Sequence, residues 1–254
     1  MFRRVLILTA ITAAAAAAQP GEPPPLVQIV RRPGINAVPL RDYASVRAAV
    51  DVLGITAMTG VPETWQVEMH DAFASIEALD RAFTTAGIAQ PRPLEPSLPP
   101  RTMIGIYQPG WSYRPREAVT LLPKARFVLV SIYHMRPGGD KGLGELMRLR
   151  REKMNSVNLD RPDLIYRIVS GAESATYVVL APMVSLKILD DSVAALPTYA
   201  EPIAAAEAEA GQQQAAVDLN RENLLFRVDP VLSYVSNDFA AADQEFWRGK
   251  SRGQ

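Results

Sequence analysis

Two histidines and a group of aromatic residues are the side chains of this sequence with the clearest chemical potential. His134 follows Val128, Val130 and Ile132 at alternate positions, so on a strand all four share one face. There it would serve as a base or an axial haem ligand lining an interior. The competing role is a hydrogen-bonded core or edge histidine. His70 is followed by Asp71, but neighbours along a strand point to opposite faces. A solvated strand end is therefore expected there rather than a dyad. Trp65, Tyr107, Trp111, Tyr113 and Tyr133 fall near strand ends and could line a pocket, with polar tips to orient a ligand. Sheets bury aromatics in any case, so core packing competes with that role. The candidate ligand-binding set is His134, Trp65, Tyr107, Trp111 and Tyr133, and no catalytic residue is assigned.

Other chemistries lack their residues. Gly138-Gly-Asp-Lys-Gly-Leu-Gly144 has neither the Gly-x-x-x-x-Gly-Lys-Ser/Thr nor the Gly-x-Gly-x-x-Gly spacing of a phosphate cradle. It reads as a strand-to-helix corner. Arg148, Arg150, Arg151 and Lys153 lie among Glu145 and Glu152, as on a solvated helix face. There is no Gly-x-Ser-x-Gly elbow and no recognisable carboxylate pair. Cys is absent and His numbers two, which excludes disulfides, Cys nucleophiles and thiolate or all-histidine metal sites. No metal is expected. Lys+Arg and Asp+Glu both number 27 in 254 residues, so nothing electrostatic favours nucleic acid as a partner. At 48% hydrophobic the chain can bury a sizeable core.

The elements that would position these residues follow an address segment. Met1-Phe-Arg-Arg4, the apolar run from Val5 to Ala18 and Gln19-Pro20-Gly21 have the order of a secretory signal peptide. The run is shorter than the about 20 residues of a spanning helix. Cleavage after residue 18 is expected, giving a periplasmic or secreted protein with no stable membrane insertion. Residues 19–25 then form a stiff proline-rich lead-in.

The remainder reads as a duplication. Val27-Gln-Ile-Val-Arg-Arg-Pro-Gly34 matches Val130-Ser-Ile-Tyr-His-Met-Arg-Pro-Gly138. Ser75-Ile-Glu-Ala-Leu-Asp80 matches Ser185-Leu-Lys-Ile-Leu-Asp190, and Pro109-Gly-Trp-Ser-Tyr113 matches Pro230-Val-Leu-Ser-Tyr234. The three matches keep their order. Trp111-Ser-Tyr113 and Leu232-Ser-Tyr234 imply a shared structural job, such as a tyrosine hydroxyl bonding a backbone carbonyl. In copy one, a strand at Val27 to Val30 precedes a helical stripe of Tyr43, Val46, Val50 and Leu53 that Gly54 would stop. A hairpin follows at Ile55 to Met69, then a helix capped by Ser75 and a strand at Met103 to Tyr107. The excursion 89–100, with Pro91, Pro93, Pro96, Pro99 and Pro100, precedes that strand. Copy two repeats the order. Its strand spans Phe127 to Met135 and its helix carries Leu143, Leu146, Met147 and Met154. A hairpin runs from Leu164 to Leu180, Ser185 caps the next helix, and Ala204 to Ala216 is rich in helix formers. The last strand is Leu224 to Val228. The tail 237–254 has no period, with Phe246-Trp247 as its possible pin.

Each copy is thus β-α-β-β-α-β, a ferredoxin-like unit with one bare sheet face that must be covered. The expectation is an α+β chain of two tandem ferredoxin-like units, 26–116 and 117–236, packed sheet to sheet as a pseudo-dimer. On Tyr133-His-Met-Arg-Pro-Gly138, Tyr166-Arg-Ile-Val-Ser-Gly171, Thr176-Tyr-Val-Val-Leu180 and Ser185-Leu-Lys-Ile-Leu-Asp190, the second copy resembles the dimeric α/β-barrel superfamily. The resemblance is to its NIPSNAP and antibiotic-biosynthesis-monooxygenase types. It implies a lumen between two sheets for a small, often aromatic or haem-like ligand, and further oligomers through sheet edges. It brings no catalytic signature. Four functions compete: an exported binder of a small apolar or aromatic ligand between the sheets, a cofactor-free oxygenase, a haem protein using His134 or His70, and a structural or interaction protein with a filled barrel. The first is preferred, with no cofactor predicted.

Overall fold

The computed structural model describes residues 21–34, 51–70, 100–136, 138–173, 175–194 and 220–249. The signal segment, the stripe from Tyr43 to Val50, the helix from Ser75, nearly all of the excursion 89–100 and the helix formers from Ala204 to Ala216 lie outside the described residues. The first copy contributes β1 (Leu26–Pro33), β2 (Asp51–Ala57), β3 (Glu63–His70) and β4 (Arg101–Tyr107). Helix α1 (Pro115–Leu121) and a 3-10 turn at Leu122–Lys124 lead to the second. There follow β5 (Phe127–His134), α2 (Asp140–Ser156), β6 (Leu164–Ser170), β7 (Thr176–Met183), α3 (Lys187–Ala194) and β8 (Asn220–Val228). Two short helices, α4 (Asn237–Ala241) and α5 (Gln244–Arg248), follow β8. No helix of the described residues is long and apolar enough to cross a membrane.

Both copies order their strands alike. The first sheet runs β4-β1-β3-β2 and the second β8-β5-β7-β6, antiparallel throughout. β2 pairs with β8 and β4 with β6, closing an eight-stranded barrel. Each strand thus has two partner strands, although β2 and β8 pair only over Ile55–Ala57 and Phe226–Val228. Leu53 and Gly54 belong to β2, not to the end of a helix. Val52, Leu53, Gly54 and Ile55 are buried on both sheet faces, and a fully buried strand shows no alternation by which its sequence could be told from a helix.

The two seams are built by matching residues. After β4, the Ser112 hydroxyl donates to Gln108 O (3.1 Å) and accepts from Ile165 N on β6 (3.0 Å). After β8, the Ser233 hydroxyl donates to Asp229 O (2.6 Å) and accepts from Gly54 N on β2 (2.9 Å). Gln108 N reaches Ile165 O at 2.8 Å, and Asp229 N reaches Gly54 O at 2.9 Å. The job shared by the Trp-Ser-Tyr and Leu-Ser-Tyr matches therefore belongs to the serines. Tyr113 does bond a carbonyl, donating to Met154 O at 3.2 Å, but Tyr234 pairs through its backbone with Val52. Each seam also has a glycine. A Cβ on Gly54 would lie 2.4 Å from Leu232 O, and one on Gly171, at φ +87°, 1.8 Å from Thr102 O.

The interior is packed by alternate residues of all eight strands, including Ile29, Ile55, Trp65, Val130, Tyr166 and Phe226. Leu122 closes one end and lines the same interior. The described part of the tail, to residue 249, is tied to the barrel. Trp247 Nε1 donates to Pro123 O at 2.7 Å, the Arg126 guanidinium lies 3.8 Å over the Phe246 ring, and Arg126 pairs with Asp243. Burying a large apolar side chain contributes about 1.5–3 kcal/mol, which Trp247 adds to the hydrogen bond and the ion pair at this end.

Candidate functional site

Between the sheets, where a chamber was expected, apolar side chains pack closely among the described residues. Val27, Leu53, Ile55, Val67, Leu180 and their neighbours leave a cavity of about 10 Å³, room for about one water molecule. The five sequence candidates divide over both faces of the sheets. Trp65 is fully buried inside, 4.9 Å from Phe226 and beneath the Arg31 guanidinium at 4.7 Å. Tyr107 borders the interior, 5.8 Å from Tyr166. Burial pushes the hydroxyls of both tyrosines above the usual phenol range, so each is a neutral hydrogen-bonding group at pH 7. Tyr133 and Trp111 lie on the other side of the second sheet, packed with Leu143 and Met147 of α2. Trp111 stacks on Tyr177 at 4.9 Å, whose hydroxyl donates to Asp140. Alternation explains the split: Ile132 and His134 face inward, so Tyr133 faces out.

His134 sits at the end of the barrel away from Leu122. Its Nδ1 lies 3.1 Å from Thr176 Oγ1 and its Nε2 3.6 Å from Glu222 Oε1.

The outer face of the first sheet, turned away from the barrel interior, holds a different arrangement. Gln28, Gln66, Glu68 and His70 are 5%, 2%, 1% and 1% exposed. They share one face, because Trp65, Val67 and Met69 alternate with them toward the interior. Gln28 lies directly across from Glu68, Val30 from Gln66 and Leu26 from His70. His70 Nε2 is 3.7 Å from Glu68 Oε2, and both residues have further partners. Among the described residues, neither the Gln28 nor the Gln66 amide makes a hydrogen bond. The expectation of a solvated His70 beside Asp71 is overturned: His70 is buried and faces Glu68, two residues away on its own side of the strand.

The second copy provides the control. Val27 and Ile29 match Val130 and Ile132, so Gln28 corresponds to Ser131. The register then matches Gln66 to Tyr177, Glu68 to Val179 and His70 to Ala181. The same positions in the second sheet are thus mostly apolar, and Ser131 is satisfied by Asn223 at 2.7 Å. The fold does not require the polar set. A carboxylate and an imidazole side by side, flanked by two amides, can take a proton from a bound molecule and hydrogen-bond the group left behind.

The fold is shared with a solved protein of low sequence identity. The chain overlays an anthrone oxidase-like protein with a TM-score of 0.53 at 12% identity, over 86% of this chain and 96% of that one. The chain has the dimeric α/β-barrel fold. A candidate monooxygenase of Lactobacillus acidophilus gives 0.45 at 9% identity, covering 83% and 96%. A heme-binding protein of Thermus thermophilus gives 0.41 at 11%, covering 80% and 90%. No protein-family model and no curated protein matches the sequence. The interior does not fit haem. Its cavity is far below the about 300–1,000 Å³ of ligand pockets, and both His134 nitrogens face polar side chains. Among the described residues no three His, Asp or Glu side chains converge as metal ligands do.

Proposed function

We propose that this protein is exported and binds a small organic molecule on the outer face of its N-terminal sheet, where Glu68 and His70 take a proton from it. The carrying observation is the contrast between register-matched positions. Gln28, Gln66, Glu68 and His70 are buried where the second copy places Ser131, Tyr177, Val179 and Ala181. A barrel with a purely structural role has no need of that difference. Buried, closely placed acid and base groups are the usual mark of a reaction site. Proton abstraction is also the opening step of cofactor-free oxygenation, the activity this reading favours over simple binding. Export is supported by the basic, apolar and small-residue order of residues 1–21.

The test uses 5-nitrobenzisoxazole, whose C–H is removed by a base as its N–O bond opens to a coloured phenolate. Wild-type protein is expected to accelerate ring opening over buffer, and Glu68→Gln to lose at least about tenfold of that rate. Equal rates for wild type, Glu68→Gln and buffer would overturn the proposal.

A further inference from the structure

We propose that the small cavity inside the barrel is a binding site for dioxygen. The cavity holds about 10 Å³ between the two sheets, room for about one water-sized molecule. Its walls are the side chains of Val27, Leu53, Val67, Leu122, Val128 and their neighbours. One hydroxyl is among them, that of Tyr166, and it donates away from the cavity wall to Pro24 O at 3.2 Å. The backbone N–H and C=O groups of the strands run along the sheets to their paired neighbours. A buried water needs about two to four polar partners, and among the described residues these walls offer at most one, the Tyr166 oxygen. An apolar cavity of this kind stays dry and takes apolar guests of matching size.

Size and polarity leave one class of guest. An ion would lose its hydration with nothing here to replace it. Organic ligands need pockets of about 300–1,000 Å³. An apolar diatomic gas is close to water in size and needs no hydrogen-bonding partner. Dinitrogen fits on the same terms but is inert, so dioxygen is the guest with a chemical consequence. Val67 and Met69 line the cavity and flank Glu68 along β3. Dioxygen held there lies behind the outer-face pair, on the interior side of the same strand. Its use in an oxygenation rests on the acid–base reading; its occupancy of the cavity does not.

Methyl NMR relaxation of the full chain under a few bar of oxygen, with nitrogen at the same pressure as the diamagnetic reference, tests the site. Dioxygen is paramagnetic and speeds the relaxation of the methyl groups it touches. Ile165 and Val179 serve as controls, because they are as deeply buried but pack with Leu143 and Met147 of α2 on the other side of the second sheet. Oxygen is expected to enhance relaxation at Val27, Leu53 and Leu180 at least about threefold more than at the controls, as an occupied apolar cavity requires. Val128→Ile adds a methyl group at the cavity wall and is expected to abolish that difference. Equal enhancement of the two sets in wild type, or a difference unchanged in folded Val128→Ile, overturns the proposal. The wild-type comparison decides by itself where the variant does not fold. The readouts separate the gas site from the acid–base pair. If 5-nitrobenzisoxazole turnover depends on Glu68 while both methyl sets respond alike, the gas site fails and the base stands. If the methyl difference is present but Glu68→Gln turns over like wild type, the gas site stands and the base fails.

Discussion

Gly171→Ala tests whether the barrel closes at the seam between β4 and β6. Gly171 has φ +87°, and a Cβ placed on it would lie 1.8 Å from Thr102 O and 2.8 Å from Thr102 C. The obstacle is backbone of a paired strand, so no side chain can swing aside. Left-handed backbone costs an L-residue about 1–2 kcal/mol, and forced overpacking adds about 1–3 kcal/mol. The combined cost, on the order of 2–5 kcal/mol, lowers the melting temperature of a chain this size by roughly 2–4 °C per kcal/mol, or about 10 °C. Gly110→Ala is the control, because nothing lies within 4 Å of its Cβ and an open surface change stays within about 0.5 kcal/mol. Thermal unfolding followed by circular dichroism compares the two. If Gly171→Ala melts within a degree or two of Gly110→Ala, the carbonyl of Thr102 does not approach Gly171 and the seam is not closed as described.

Other outcomes follow from the same contacts. Ser112→Ala leaves the buried Ile165 amide without its acceptor and is expected to cost about 1–3 kcal/mol in urea unfolding. Ser233→Ala, at the matching but half-buried position, is expected to cost no more than that. A neutral result at both positions would show that the serines do not pin the seams. The Arg126 guanidinium, and then the Phe246 N–H, hold the Asp243 carboxyl below its usual 3.8. A depressed acid stabilises above its unfolded value and loses that contribution as pH falls through the folded one. The melting-temperature gap between wild type and Asp243→Asn, which keeps the helix cap, should therefore be constant near neutral pH and close below about pH 4. A gap unchanged down to pH 2.5 would count against the ion pair. Mature protein from an exporting host is expected to begin at Gln19 on N-terminal sequencing, and a retained Met1 would refute the signal peptide.

The architecture is legible because duplication repeats local patterns. The Arg-Pro-Gly corners and the matching Ser112 and Ser233 positions mark tandem ferredoxin-like units in the sequence alone. β2 is not legible at Leu53 and Gly54, because a strand buried on both faces has no period of two. The candidate site is legible only in part. Thr64-Trp-Gln-Val-Glu-Met-His70 alternates cleanly and so reads as a strand with one wet face. Its polar residues are buried all the same, and burial of a polar face depends on tertiary packing that alternation does not report. The signal available is the spacing of Glu68 and His70, two apart and hence on one side, whereas adjacency draws attention to Asp71. Tyr133 and Trp111 are aromatic for packing against α2, a role that residue type alone does not separate from ligand contact.

The central claim is that reactivity belongs to the outer face of the first sheet and not to the barrel interior. Parallel measurement of 5-nitrobenzisoxazole ring opening by His70→Gln and His134→Gln tests it most directly. The account predicts that His134→Gln keeps the wild-type rate and that His70→Gln falls to at most a tenth of it while melting as a folded protein. A rate lost with His134 and kept with His70 would contradict it.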